Sequence, residues 1–160
     1  MEIEKKFLIR ELPEHLEQYP CSRIEQGYLS KDPVIRIRRL DDMYVLTYKN
    51  RVDARKRDPV CVNQEIELPL TRESYEHLKS KIDGCIIEKN RFRIPYQSFT
   101  IELDVFHGAY EGMTLAEVEF STEEEADHFV APDWFDQNVS GDYHYRNVYL
   151  ACKNQYPFQK

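Results

Sequence analysis

The chain opens MEIEKKFLIR (residues 1–10), and the reading of this stretch decides the fold. Ile3, Phe7 and Ile9 alternate with Glu2, Glu4 and Lys6, the period-two spacing of a strand with one apolar and one polar face. Two carboxylates and an ammonium therefore share one side of the strand, an arrangement that calls for a reason.

The pattern recurs along the chain. Segments 3–10, 23–29, 34–40, 44–49, 63–69, 86–94, 99–106 and 114–121 all alternate, and β-branched and aromatic residues are frequent in them. Eight antiparallel strands are expected. Helical spacing is confined to TRESYEHLKSKI (71–82), with Thr71 opening it, and STEEEADHFV (121–130), where Ser121 or Thr122 caps three glutamates that favour the positive helix end. ELPEHLEQ (11–18) and GDYHYRNVYLACKN (141–154) are weaker helical candidates.

The polar faces are sorted by sign. Glu65 and Glu67, Glu102 and Asp104, and Glu117 and Glu119 form acidic pairs at i, i+2; Arg36 and Arg38, and Lys89, Arg91 and Arg93, form basic ones; Lys49 lies in phase with Val45 and Thr47. A half-buried sheet with one face in water would account for any single strand. Such faces usually mix signs, however, and like charges set side by side repel unless something binds between them. Closing the strands into a barrel turns the charged faces inward and leaves the apolar faces to meet helices outside. The expected fold is mainly β (α+β): a closed eight-stranded antiparallel barrel forming a tunnel, within one domain over residues 1–160.

Both signs in one interior suit a polyphosphate bound together with metal. Arg forks match phosphate oxygens in pairs, and carboxylates beside such a ligand need divalent cations between them. A set of Asp and Glu without His or Cys suits hard Mg²⁺ or Mn²⁺. The net charge of -7 argues against a protein held on duplex nucleic acid by a basic surface. Cys21, Cys61, Cys85 and Cys152 show neither zinc spacing nor a disulfide framework, and there is no apolar signal-peptide core or membrane span; a cytoplasmic protein with reduced thiols is expected.

Taken in order, these motifs resemble the CYTH superfamily, the triphosphate tunnel metalloenzymes. Glu2, Glu4 and Lys6 fit its ExExK signature; Arg36 with Arg38, Lys49, Glu65 with Glu67, Lys89-Arg91-Arg93, Glu102 with Asp104 and Glu117 with Glu119 follow in the family's order, and VSGDYHYRNVYLA (139–151) is similar to its closing segment. The resemblance implies a tunnel that hydrolyses or cyclises a triphosphate with Mg²⁺ or Mn²⁺, two ions being expected. It implies phosphate ligands at Lys6, Arg36, Arg38, Lys49, Lys89, Arg91 and Arg93. It implies metal ligands or water-orienting groups at Glu2, Glu4, Asp104, Glu117 and Glu119, with Glu65, Glu67 and Glu102 as further candidates. Catalysis is assigned to Glu2, Glu4 and Lys6. Asn63 and Gln64 stand where relatives carry a basic residue; Arg57 in KNRVDARKRDPV (49–60) is the candidate replacement, and a solvated hairpin is the competing reading.

Hydrolysis to phosphate and diphosphate is the favoured activity. The alternatives are a class IV adenylyl cyclase, which would need a base pocket, and a non-catalytic polyphosphate-binding module. The partner is a small-molecule triphosphate, with no duplex nucleic acid and no membrane; monomer and homodimer stay open. Tyr28 reads as a packed aromatic with ligand contact as the second option, Trp134 as an anchor for outer helices, and the five histidines as surface residues.

Overall fold

A computed structural model describes residues 1–54 and 59–153. Among them the strands run β1 Glu2–Ile9, β2 Cys21–Lys31, β3 Val34–Leu40, β4 Met43–Ala54, β5 Cys61–Pro69, β6 Asp83–Tyr96, β7 Phe99–His107, β8 Thr114–Phe120 and β9 Phe135–Asn138. The order β5-β4-β3-β2-β6-β7-β8-β1 closes on itself because β1 also pairs with β5. All these pairings are antiparallel, so the eight expected strands form the expected closed barrel. Arg57 lies outside the described residues.

β1 holds the closure. Glu2, Ile3 and Glu4 pair with Asn63, Val62 and Cys61 of β5, while Ile3 to Phe7 pair with Phe120 to Ala116 of β8. Beyond β5 the freed edge of β1 is taken by β9, through Phe7↔Asn138 and Ile9↔Phe135. This ninth strand was not expected from the sequence: four residues, FDQN, with two exposed polar positions carry too little alternation.

Three short helices pack on this frame: α1 Arg72–Lys79, α2 Glu123–His128 and α3 Asn147–Lys153. The Thr71 hydroxyl accepts from the Ser74 amide and Thr122 from the Glu125 amide, so both helices start at a capped end. Segment 11–18 yields only the 3-10 turn Leu16–Gln18.

The core has two parts. Outside the barrel, Phe7, Leu103, Ala116, Val118 and Phe120 pack under Ala126 of α2 and Phe135 of β9. Phe129 makes edge contacts with Phe99 and Phe120 there, and Trp134 stands edge-on to Phe135, so Trp134 fastens the approach to β9 as well as the helix layer. The second part is a departure from a wholly charged interior. Ile87, Phe106 and Leu115 continue the inward faces of β6, β7 and β8, and with Tyr28 they pack against Tyr145, Leu150 and Ala151. The helix α3 and this apolar layer fill one end of the barrel. The outer apolar face is also not fully covered, since Ile66 and Leu68 of β5 stay 49% and 56% exposed.

Candidate active site

The antiparallel registers bring the sorted charges into one cavity of about 630 Å³. Lys6 lies opposite Glu117, Glu117 opposite Glu102, Glu102 opposite Arg93, and Lys49 opposite Glu65. Because inward residues recur every second position, each pairing sets one charged row beside the next. The cavity is lined by Glu2, Glu4, Lys6, Tyr28, Arg36, Arg38, Lys49, Glu65, Glu67, Lys89, Arg91, Arg93, Glu102, Glu117 and Glu119. Every sequence-assigned site residue within the described chain thus reaches the wall except Asp104.

Asp104 is fully buried behind it. Its carboxylate accepts from Arg91 Nε at 2.7 Å and Arg91 Nη2 at 2.8 Å, and Lys89 Nζ stands 2.7 Å away. Burial alone would raise its pKa, but Arg91 and Lys89 hold it below the usual carboxylate range. Both its oxygens are committed to positioning two bases.

The other ion pairs divide by strand. Lys49 Nζ reaches Glu2 at 2.6 Å, Glu4 at 3.4 Å and Glu65 at 3.9 Å. Lys6 Nζ lies 3.2 Å from Glu117 and donates to the Tyr145 carbonyl. Arg91 contacts Glu102 at 2.5 Å and Glu117 at 3.6 Å, and Arg38 contacts Glu67 at 2.9 Å. Arg36 has only a 3.5 Å contact to Thr47, and its buried Nε has no partner among the described residues; the Arg38 Nε is equally unpartnered. Forks of this kind retain donors for an incoming anion.

The carboxylates are pushed apart in acidity. Burial works to raise Glu117, but Lys6, Arg91 and Lys89 outweigh it and hold it well below the usual range. Burial raises Glu4 in spite of Lys49, and Glu119 is raised by burial and by Glu2, Glu102 and Glu4. Glu65 is pushed up to about 8 by burial and by the neighbouring Glu2 carboxylate. Burial also lowers Lys89 to about 8 and, with Arg36 and Arg91 nearby, Arg38 to about 10. The site therefore holds more acid on one side, and more base on the other, than each can neutralise in the other.

Three cations on the wall were not singled out from the sequence: Lys31, Arg51 and Arg146. Arg51 continues the phase of Lys49 and lies opposite Asn63, the position of the absent base. That phase was the available signal, obscured because Asn50 and Arg51 sit in a basic run. Asn147 was noted only as part of the closing segment; it accepts from Lys89 Nζ at 3.2 Å. Tyr28 is packed as its first reading expects, 2% exposed in the apolar layer, and it also borders the cavity. None of the histidines joins a cluster of metal-ligating type among the described residues.

Barrel and cavity together define a closed β-barrel protein whose interior is lined by paired bases and carboxylates. No family model matches the chain. It is 35% identical over 158 residues to the inorganic triphosphatase of Acetivibrio thermocellus, covering 97% of this chain and 95% of that one. It is 33% identical over 156 residues to the inorganic triphosphatase of Nitrosomonas europaea, covering 94% and 96%. The crystal structure of the inorganic triphosphatase NE1496 matches with a TM-score of 0.68 at 31% identity over 95% of each chain. The chain belongs to the inorganic triphosphatase family, and it is a triphosphate hydrolase.

Proposed function

We propose that the protein, as a member of the CYTH superfamily, hydrolyses inorganic tripolyphosphate to phosphate and diphosphate with Mg²⁺ or Mn²⁺. One observation carries the reading: the cavity sets unpartnered guanidinium Nε donors, on Arg36 and Arg38, beside carboxylates raised chiefly by burial, and further by one another, at Glu4, Glu65 and Glu119. An anion would satisfy the first set and a cation the second. The free thiols of Cys21, Cys61 and Cys85 support a cytoplasmic setting.

The donor set fits a hard divalent ion. Glu2, Glu4, Glu65, Glu117 and Glu119 offer oxygen only, and a cation would displace the proton that burial favours on Glu65. Mg²⁺ and Mn²⁺ both prefer oxygen, and Mg²⁺ is commonly held by one or two carboxylates together with substrate phosphates. When bound, such an ion would neutralise developing charge on the phosphoryl oxygens.

The chain's own residues supply the rest. Arg36, Arg38, Arg91 and Lys89 would grip the phosphate oxygens, the two Arg forks in pairs. Asp104 fixes Arg91 and Lys89 in place, so their orientation is set before substrate arrives. Lys49 is held charged by Glu4 and Glu2, whose attraction overcomes burial, and it would face the chain as a fixed cation. Glu4, raised by burial, would take the proton of a water whose oxygen forms the new P–O bond while the bridging P–O bond breaks and diphosphate leaves with its electron pair. Apolar packing around Tyr28 and α3 borders the site at one end of the barrel.

The test is a screen of tripolyphosphate, ATP and thiamine triphosphate with Mg²⁺ and with Mn²⁺, reading phosphate and diphosphate separately. Tripolyphosphate should turn over fastest, and only with metal. Diphosphate released from ATP together with cyclic AMP would favour the cyclase, and turnover undiminished by EDTA would sink the metal role.

A further inference from the structure

We propose that the end of the cavity abutting residues 139–148 carries a second anion subsite, formed by Lys31, Arg51 and Arg146, for one phosphate group beyond those of a triphosphate. It rests on the proposed function and extends it. The ion pairs of the cavity supply the argument. Lys6, Lys49, Arg38, Lys89 and Arg91 each lie against a carboxylate. Among the described residues, Lys31, Arg51 and Arg146 face the same space with no acidic partner. Charge left uncompensated at one end of a low-dielectric cavity attracts anions there.

The backbone places the three cations together at that end. Lys31 pairs with Val34 and Val34 with Lys49, and Arg51 lies two residues further along β4 on the face that carries Lys49. The Arg51 Nε is buried without a hydrogen bond, and its Nη2 lies 3.9 Å from Cys61 Sγ, which in turn donates to the Ser140 carbonyl at 2.8 Å. Arg146 follows Tyr145, whose carbonyl accepts from Lys6, so it sits directly beyond the reacting part of the site. The nearby acid, Asp142, turns Oδ1 to the His144 amide at 3.0 Å and the His144 ring at 2.7 Å, and it makes no ion pair with Arg146 among the described residues. A half-buried guanidinium fork with a free Nε, lining the same cavity as a second arginine, is chemistry for a tetrahedral phosphate. That group comes either from released orthophosphate or from the fourth phosphate of a longer chain.

The experiment compares wild type with Arg51→Ala, Arg146→Ala and Lys31→Ala in steady-state hydrolysis of tripolyphosphate and tetrapolyphosphate, and in inhibition by orthophosphate. If free phosphate is the occupant, its inhibition constant rises about tenfold in the variants while KM for tripolyphosphate stays within about twofold. If the chain end is the occupant, KM for tetrapolyphosphate rises about tenfold and phosphate inhibition is unchanged. Lys31 is exposed, so its variant reports without risk to the fold, and Arg51→Lys should recover part of the loss. Variants that leave all three quantities unchanged, or that raise KM for both polyphosphates equally, overturn the subsite. Wild type that hydrolyses no polyphosphate overturns the proposed function first, and the subsite falls with it.

Discussion

Lys49 Nζ stands 2.6 Å from Glu2 Oε1, a contact across the barrel interior from the fourth strand to the first. The same ammonium lies 3.4 Å from Glu4, so one cation holds two carboxylates that would otherwise repel. Lys49→Ala should therefore lower stability by about 2–3 kcal/mol, since truncating one partner leaves buried charge uncompensated. Melting in EDTA and again with Mn²⁺ checks this: the loss should be large without metal and mostly regained with it. A variant as stable as wild type in EDTA would show the carboxylates to be already neutral.

Neighbouring lysines on β1 should behave in opposite ways. Lys6 points into the cavity beside Glu117, and Lys6→Ala is expected to cut turnover by about a hundredfold or more, with a modest change in melting. Lys5 is only 3% exposed, with its ammonium donating to the Ala126 carbonyl of α2 at 2.7 Å. Lys5→Ala should keep kcat while destabilising the fold by about 1–3 kcal/mol. Thermal melts paired with kinetics decide; equal effects on both readouts would refute the inside-outside assignment.

Glu65 predicts a pH dependence for the metal-free protein. Its folded pKa, about 8, lies above the ordinary 4.5, so between those values the native state holds a proton that the unfolded state has lost. Stability should therefore fall as pH rises from about 5 to 8. Glu4 and Glu119, also raised, act in the same direction. Denaturant melts in EDTA across this window should slope downward, and Glu65→Gln should flatten the slope; a rising profile would contradict the assignment.

Arg38 is held at 2.9 Å by Glu67, a carboxylate whose side chain is 46% exposed at the rim. Phosphate must displace it to use that fork. Glu67→Gln should lower KM for tripolyphosphate by a few-fold and tighten product inhibition by diphosphate alongside it. Inhibition kinetics read both constants, and a raised KM would mean that Glu67 helps to hold substrate.

The barrel was legible because inward and outward residues alternate over most of each of the eight strands, broken only at shifts such as those near Tyr28 and Arg51. Each charged row was visible at i, i+2, and the registers that stack Lys6 on Glu117 and Lys49 on Glu65 merely joined rows already sorted by sign. What alternation cannot reveal is depth. Asp104 and Glu102 share a face, yet one is sealed behind Arg91 and the other opens on the cavity. Lys5 falls on the outward phase of β1, where a charged side chain would ordinarily meet water, and only the placement of α2 over β1 buries it. Arg146 comes from the closing segment, whose path across the barrel end depends on long-range packing of Leu150 and Ala151. β9 was hidden for a related reason: its pairing depends on an edge of β1 that exists only once the barrel has closed.

The three-way pairing of β1 also fixes when the protein can finish folding. Lys6 and Glu117 lie more than 100 residues apart in sequence but directly opposite each other in the sheet. The first strand to be synthesised thus has no native neighbour until β5 is made, and it completes its pairing only when β8 and β9 follow. Closure is a late event dominated by distant contacts, the kind that slows folding and leaves strand edges open to other chains. Because the acids of β1 meet their bases only at that closure, an emerging chain carries Glu2 and Glu4 on an unpaired edge, where their charge discourages the edge-to-edge association that a purely apolar strand would invite.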